Sequence, residues 1–189
     1  MHITARQQDA SEYFSHLLDI MTRAERAAGD RLGGPVGVPT SHSFNATIET
    51  KTQCGESKQV SYKSSRTPVI ALGIPMEAAE NKPEVDAYQA AKRAKTDADP
   101  AAAAAAAAAE AAVVPRVSLQ ACLAQYFGDE KIPDYYSSAT SKKGIATRTN
   151  RIATFPSYLV LQLNRYYVSD TWEPKKMDVE VPMPEELGE

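Results

Sequence analysis

The most regular stretch of the sequence is FPSYLVLQLNRYYV, residues 155–168. Its opening Phe-Pro-Ser is typical of a turn. The residues that follow are rich in aromatic and β-branched side chains, which favour a strand from Tyr158 to Val168. The apolar run Tyr158 to Leu163 is nearly continuous, and this pattern is typical of a strand buried on both faces. The stretch therefore predicts the strongest strand of the chain, buried on both faces.

Shorter alternating segments lie on both sides of this strand. Phe44–Glu49 and Gln59–Lys63 alternate apolar with polar residues and are separated by a turn at Cys54-Gly55, so they predict a β-hairpin. A polar loop is expected between the second helix and the later strands. Further predicted strands are Val69–Ile74, Ile145–Thr154 and a last short one at Val179 and Val181.

Two amphipathic helices are predicted. In the first, Thr4 and Gln7 have the spacing of a capping box, and the glycines from Gly29 onward end the pattern. In the second, Ser118 is the predicted N-cap and Gly128 ends the helix. The apolar residues at helical spacing are Ala10, Phe14, Leu17, Leu18 and Met21 in the first helix, and Leu119, Cys122, Leu123 and Tyr126 in the second.

Residues 76–116 differ in composition from the rest of the chain. Glu77 to Lys95 is polar and helix-prone, and nine consecutive alanines follow at Ala101–Ala109. Alanine favours helix, but the tract has no large side chain to bury, so such a helix is marginal in water. We therefore expect an Ala-rich insertion that stands off the core, partly helical and mobile. A partner-binding helix is the alternative interpretation.

These elements predict an α+β fold. The expected organisation is a helical segment at 1–28, hairpin strands at 40–75, the insertion at 76–116, and a helix followed by strands at 117–189.

Composition bounds the function class. The 189 residues are 43% hydrophobic with a net charge of −3, which is ordinary for a globular chain and gives no strong attraction to nucleic acid or anionic membranes. No apolar stretch approaches the roughly 20 residues that a membrane-spanning helix needs. Two cysteines are too few for a secreted disulfide framework. We expect a cytoplasmic protein, with the nucleus as an additional compartment, and neither nucleic-acid nor membrane partners.

Three separated motifs carry a resemblance to a known family. Gln7-Gln8-Asp9-Ala10, followed by Glu12-Tyr13-Phe14, resembles the QQDA-x-E-F element of ubiquitin-specific proteases. Residues 155–166 are similar to that family's L-P-x-x-L-x-[IVL]-x-L-K-R-F strand. Residues 172–179 and 183–187, WEPKKMDV and MPEEL, are similar to isopeptidase T within that family, as is the stretch Cys54–Ala79. The resemblance implies the middle part of a papain-like catalytic domain, with a thumb helix, a fingers hairpin and palm strands.

The resemblance also implies a cysteine nucleophile paired with a histidine. The family's Cys box lies well before the QQDA element and its His box lies after the PEEL segment, and neither is found in these 189 residues. We therefore expect an internal slice of a catalytic domain, with no catalytic residue in this chain. Cys122, on an apolar helix face, is expected to be buried and inert, whereas Cys54 is expected to lie exposed in a turn.

Many members of the family bind structural zinc through two C-x-x-C pairs. In this chain the first pair is reduced to Cys54, with Ser57 three residues later, and the second would fall near residues 135–138, where no cysteine is present. One thiolate cannot hold a structural zinc ion. We expect no metal and no other cofactor.

Contact with ubiquitin is the remaining role that the resemblance implies. Ubiquitin ends in a basic, extended tail, and carboxylates can bind its arginines. By resemblance, Asp9 and Glu12 are the predicted tail contacts, and Tyr166, at the family's Phe position, would pack along the tail. Asn164 replaces the usual Lys of the motif. The alternatives are solvated helix charges for the two acids and a core aromatic for Tyr166.

Three functional hypotheses follow from the sequence. The first is part of a cysteine deubiquitinase that cleaves after the terminal glycine of ubiquitin, on free polyubiquitin chains. The second is a truncated or degenerate homologue that binds ubiquitin without cleaving it. The third is the product of an incomplete gene model that does not fold alone. On each of them, this chain by itself is expected to be inactive.

Overall fold

Helices and β-strands make up the computed structural model, which describes residues 10–32, 34, 37–98, 112–169 and 172–187. Short 3-10 turns occur at Thr40–Ser43 and Met76–Ala78. The elements in chain order are α1 (Ala10–Leu32), β1 (Ala46–Cys54), β2 (Val60–Thr67), β3 (Ile70–Leu72), α2 (Lys82–Ala98), α3 (Leu119–Phe127), β4 (Glu130–Ser137), β5 (Lys142–Thr154), β6 (Leu161–Leu163), β7 (Tyr166–Val168) and β8 (Pro174–Lys176).

The chain divides into two compact units. The first comprises residues up to Ala71 together with Phe127–Gln162, and the second comprises Leu72–Tyr126 and the residues from Leu163 onward. The predicted α+β class is confirmed, because α1 accompanies an antiparallel sheet in the first unit, and α2 and α3 accompany short strands in the second.

The first unit contains a four-stranded antiparallel sheet in the order β2–β1–β5–β4. The predicted β1–β2 hairpin is confirmed, with Gln53 opposite Val60 at its closed end. Alternate residues of β1 face inward, so Ala46, Ile48 and Cys54 are buried while their neighbours are half-buried. Ala146 of β5 pairs with Cys54 and is also fully buried. One face of the sheet therefore forms the core of this unit.

The predicted polar loop after α3 is wrong. Strand β4 occupies much of it, and β5 begins at Lys142, three residues earlier than predicted. The pairing of β4 with β5 is irregular between Ile132 and Tyr135, where Pro133 lacks an N–H and Asp134 has φ +58°. This bulge interrupts the alternation from which strands are predicted, so the pattern was not visible in the sequence.

The first helix is longer than predicted. It continues through Gly29 to Leu32, and Gly29 is buried inside it. The Glu25 carboxylate accepts hydrogen bonds from the Thr40 backbone N–H and hydroxyl, which ties the residues after the helix back to its side. Tertiary contact thus outweighs the modest cost of a glycine in the last helical turns.

The predicted strand at 158–168 is confirmed only at Leu161–Leu163 and Tyr166–Val168, and its predicted burial on both faces is wrong. The chain forms two short strands, β6 and β7, that are broken at 164–165, and their side chains are half-buried or exposed. The break occurs where the chain changes partner. The Asn164 N–H donates to the Leu72 carbonyl of β3, whereas the Arg165 carbonyl accepts from Met177, next to β8. The two halves of the stretch therefore belong to different two-stranded sheets.

The core of the second unit is apolar and joins distant parts of the chain. Ser118 caps α3 as predicted, its hydroxyl accepting from the Ala121 N–H at 3.2 Å. The predicted last strand at Val179 and Val181 is reduced to one parallel bridge, between Arg116 and Glu180. The buried apolar residues here are Leu72, Ile74, Val85, Val117, Leu119, Cys122, Val179 and Val181.

The predicted insertion at 76–116 is attached to this core more closely than expected. Its helix α2 buries Val85. The Asn81 side chain donates to the Val114 carbonyl and accepts from the Arg116 N–H, so it joins the two ends of the segment. The alanine tract Ala101–Ala109 lies outside the described residues.

Candidate functional site

The first turn of α1 carries the predicted acidic contact Glu12. This side chain is exposed. Two residues later, the Phe14 ring packs edge-on against Phe44, with centroids 5.4 Å apart and planes at 82°. Phe44 in turn contacts Tyr158 at 5.5 Å. Aromatic packing therefore anchors α1 through Phe14. Glu12 remains exposed to solvent, which contact with a partner requires.

Asp9, the other predicted acidic contact, lies outside the described residues, as do Thr4 and Gln7 of the predicted capping box. Its role stays a prediction. The described helix begins at Ala10, with Glu12 as the acidic residue of its first turn. A carboxylate there is favoured by the helix dipole.

Tyr166, the third predicted contact, is the first residue of β7 and pairs with Lys176 of β8. Its side chain is 64% exposed, so the alternative of a core aromatic is wrong. Successive side chains of a strand point to opposite faces. Tyr167 and Lys176 line a cavity of the second unit, and Tyr166 is not among the residues that line it.

This cavity of about 570 Å³ lies among α2, residues 112–115 and the β7–β8 hairpin. Its volume is within the range of ligand-binding clefts. The lining is largely apolar, with charged side chains among it. It is lined by Met76, Tyr88, Gln89, Lys92, Ala112, Val113, Val114, Pro115, Tyr167, Lys176, Met177 and Asp178.

Glu12 belongs to the first unit and Tyr166 to the second. Each is exposed within its own unit. The side chain of Asn164, which replaces the motif's Lys, is exposed as well, while its backbone N–H is bound to Leu72. The backbone hydrogen bond therefore holds Asn164 in place, and its exposed side chain can contact a partner.

The expectation that Cys54 is exposed is wrong. Cys54 is the last residue of β1 and is only 4% exposed. Hydrogen bonds from the Ser57 hydroxyl, and further from the Ser57 backbone and the Ser137 hydroxyl, lower the pKa of the Cys54 thiol to about 7. The contact with Ser137 was not predicted, because β4 was not recognised as a strand.

Cys122 has the predicted environment. It is fully buried on α3, and burial raises the pKa of its thiol above the ordinary value. A buried thiol that stays protonated is a poor nucleophile. The environment of Cys122 is therefore that of a structural core cysteine.

We expect Cys54 to make the fold more stable as the pH rises from about 7 to about 9. The thiol has a pKa of about 7 when folded, against an ordinary value of 9.0. Below the folded pKa the thiol is protonated in both states and contributes no pH-dependent stability, whereas above 9.0 the contribution is complete. Urea denaturation across this range measures it, and Cys54→Ala should lose the increment. An unchanged pH dependence in that variant would contradict the assignment.

Among the described residues, no group of three or more His, Cys, Asp or Glu side chains could hold a metal ion. None of the described helices combines the length and the apolar character needed to cross a membrane.

The family model described as "Ubiquitin carboxyl-terminal hydrolase" matches residues 2–188. This chain belongs to the ubiquitin carboxyl-terminal hydrolase family. Human "Ubiquitin carboxyl-terminal hydrolase 5" is 33% identical over 97% of the chain and 20% of its own length. The Arabidopsis thaliana protein "Ubiquitin carboxyl-terminal hydrolase 14" is 35% identical over 95% of the chain and 21% of its own length. The chain thus spans about a fifth of these relatives.

A solved structure shows the same fold. It is titled "Structure of the SAGA Ubp8/Sgf11/Sus1/Sgf73 DUB module bound to ubiquitin aldehyde". The likeness has a TM-score of 0.60 at 16% identity and covers 94% of this chain and 31% of that chain. Together with the family match, it confirms the fold class implied by the sequence motifs of this hydrolase family.

Proposed function

We propose that this chain is part of a cysteine-type deubiquitinase that hydrolyses isopeptide or peptide bonds after the C-terminal glycine of ubiquitin. The observation that carries the proposal is the family match at residues 2–188, supported by relatives named ubiquitin carboxyl-terminal hydrolases. Ubiquitin is the proposed partner, and the Ubp8 module is titled as bound to ubiquitin aldehyde. Free polyubiquitin chains are the proposed substrate, from the resemblance to isopeptidase T.

In the proposed reaction a cysteine thiolate attacks the carbonyl carbon of the terminal glycine, the C–N bond breaks, and the amine leaves after taking up a proton from the paired histidine. Water then hydrolyses the thioester, which releases the ubiquitin carboxylate and regenerates the thiol. The two thiols of this chain are buried, and we propose that the 189 residues bind and orient the ubiquitin tail without supplying the nucleophile. The proposed contacts are Asp9, Glu12 and Tyr166. Carboxylates pair with the arginines of the tail, and the exposed Tyr166 ring packs along its backbone.

We expect Glu12→Ala and Asp9→Ala each to weaken ubiquitin binding by about 1–3 kcal/mol, the scale of a hydrogen bond to a charged group. Charge reversal to arginine should be worse, because like charges then face each other. Stability should change by only some tenths of a kcal/mol, the contribution of an exposed carboxylate at a helix start. Calorimetric titration with ubiquitin and melting temperature are measured on the same variants, in the longest form of the protein that binds ubiquitin.

Asp30→Ala is the matched control, because Asp30 is an exposed acid in the last turns of the same helix. It should leave ubiquitin affinity unchanged. A lowered melting temperature with unchanged affinity in the Glu12 and Asp9 variants would mean that these acids serve the fold. Cleavage of a ubiquitin C-terminal amide by the 189-residue chain, abolished by Cys54→Ser or Cys122→Ser, would contradict the proposal that it lacks the nucleophile. Binding without cleavage by the longest natural form would favour the non-catalytic alternative.

A further inference from the structure

Two tight turns lie at the same end of the four-stranded sheet. One follows Cys54 and joins β1 to β2, and the other follows Ser137 and joins β4 to β5. A backbone hydrogen bond of 2.8 Å, from the Gly55 N–H to the Ile145 carbonyl, links the first turn to β5. The register of the sheet therefore brings the two turns together although they are about eighty residues apart in the chain.

Side chains of the two turns form a hydrogen-bonded cluster. The hydroxyl oxygens of Ser57 and Ser137 are 3.5 Å apart, and the Cys54 thiol is hydrogen-bonded to both residues. Ser137 is 3% exposed and is the buried polar residue of β4. In the second turn, the Thr140 Oγ1 atom is buried, and no described residue offers it a hydrogen-bond partner.

The positions in this cluster have the spacing of a structural zinc site. Cys54 and Ser57 are separated by two residues, and so are Ser137 and Thr140. Two such pairs on adjacent turns are the usual arrangement for tetrahedral zinc, which takes thiolate, imidazole or carboxylate ligands. Here the donor set is one thiol and three hydroxyls. These residues do not fit the zinc ion that many members of the family bind.

We propose that hydrogen bonds among Cys54, Ser57 and Ser137 replace the metal in this protein, while positions 54, 57, 137 and 140 keep the arrangement that a zinc ion needs. The hydrogen bonds of the cluster then hold the two turns together at this end of the sheet without a metal ion. Three cysteines, at 57, 137 and 140, would complete a four-thiolate site around the existing Cys54.

The lowered pKa of the Cys54 thiol agrees with this arrangement. The hydroxyls that face the thiol stabilise its charged form, as a metal would do more strongly. The buried Thr140 oxygen, which has no hydrogen-bond partner among the described residues, agrees as well, because a buried polar atom left without a partner costs free energy.

The test is the triple variant S57C/S137C/T140C of the 189-residue chain, with cobalt as a spectroscopic probe and zinc measured by mass spectrometry. We expect one Co²⁺ per chain with the absorption bands of tetrahedral thiolate coordination, and displacement of cobalt by zinc. Chelator should lower the melting temperature of the zinc-loaded variant and leave that of the unsubstituted chain unchanged, because a structural zinc ion contributes directly to folding.

A matched control separates geometry from thiol number. S64C/S65C/S157C also adds three thiols, but Ser64 and Ser65 are neighbours on β2 that point to opposite faces of the sheet, so the thiols cannot converge. It should show no tetrahedral cobalt bands. Equal cobalt binding by both triple variants would overturn the proposal.

Each possible result of the experiment either supports or overturns the proposal. Stoichiometric zinc in the unsubstituted chain, purified without chelator, would overturn the claim that hydrogen bonds replace the metal. If the triple variant folds only when zinc is added, as judged by circular dichroism, the proposal is supported. If it stays unfolded with zinc, or folds and binds none, the four positions do not have the proposed arrangement. Ubiquitin binding is not measured, so the outcome is independent of the proposed function.

Discussion

Replacing Leu72 with alanine is expected to lower the free energy of unfolding by about 2–5 kcal/mol, the range for deleting a buried leucine side chain. Leu72 is fully buried at the end of β3. The lost methyl groups leave a cavity that the surrounding core can refill only in part. The Leu72 carbonyl accepts from the Asn164 N–H at 2.9 Å, and this backbone bond survives the substitution. The loss therefore measures packing alone.

Urea denaturation of the two proteins gives the difference, read from the midpoints at an unchanged m value. Leu187→Ala is the control, since Leu187 is 46% exposed, and we expect it to change stability by about 0.5 kcal/mol or less. Equal losses for the two substitutions would show that Leu72 does not lie in the core of the second unit.

Local signals in the sequence predicted well where one element decides its own structure. The Ser118 cap and the buried Cys122 of α3 follow from side-chain chemistry and helical spacing within a few residues. The β1–β2 hairpin follows from alternation on both sides of a glycine turn. In each case the signal that predicts the element lies within a few residues of it, even where distant residues add to its stability.

The predictions of secondary structure were wrong where contacts with residues distant in the chain determine it. Residues 158–168 have the composition of one strand, but the backbone of Asn164 bonds to β3 and that of Arg165 bonds to Met177 beside β8. Likewise, the burial of Gly29 and the contact of Glu25 with Thr40 extend α1 beyond its apparent stop. Propensity alone cannot predict such pairings, because tertiary contacts routinely outweigh it.

In the candidate site as well, local features could be predicted, whereas contacts between distant residues could not. Family resemblance placed Glu12 and Tyr166 on exposed surfaces, and both are exposed. The cluster around Cys54 was only half visible, since the Cys54–Ser57 spacing is local but the approach of Ser137 depends on the bulged strand β4. The sequence does contain a second pair of residues with the same two-residue spacing, which could have indicated the cluster. The pair was not recognised because neither of its members is a cysteine.

Replacing Gly55 with alanine is expected to lower the free energy of unfolding by about 1–3 kcal/mol through overpacking. A Cβ atom at this position would lie 2.7 Å from the Ile145 carbonyl oxygen, and this oxygen is a backbone atom that cannot rotate away. The same oxygen accepts from the Gly55 N–H at 2.8 Å, so moving it away also weakens that hydrogen bond, at a further cost of up to about 1 kcal/mol. Only glycine allows so close an approach of the first turn to β5.

Gly144→Ala is the control for this prediction. Its added Cβ would meet only the end of the Glu56 side chain, at 3.6 Å, which is an ordinary contact. Urea denaturation should therefore show a loss for Gly55→Ala that Gly144→Ala lacks. Because the forced movement separates the turn of Ser57 from that of Ser137, Gly55→Ala should also raise the pKa of the Cys54 thiol from about 7 toward its ordinary value. That pKa is measured from the pH dependence of the rate at which the Cys54 thiol is alkylated in the folded protein, without urea. A destabilised variant with an unchanged thiol pKa would mean that the link from Gly55 to Ile145 does not position the cluster.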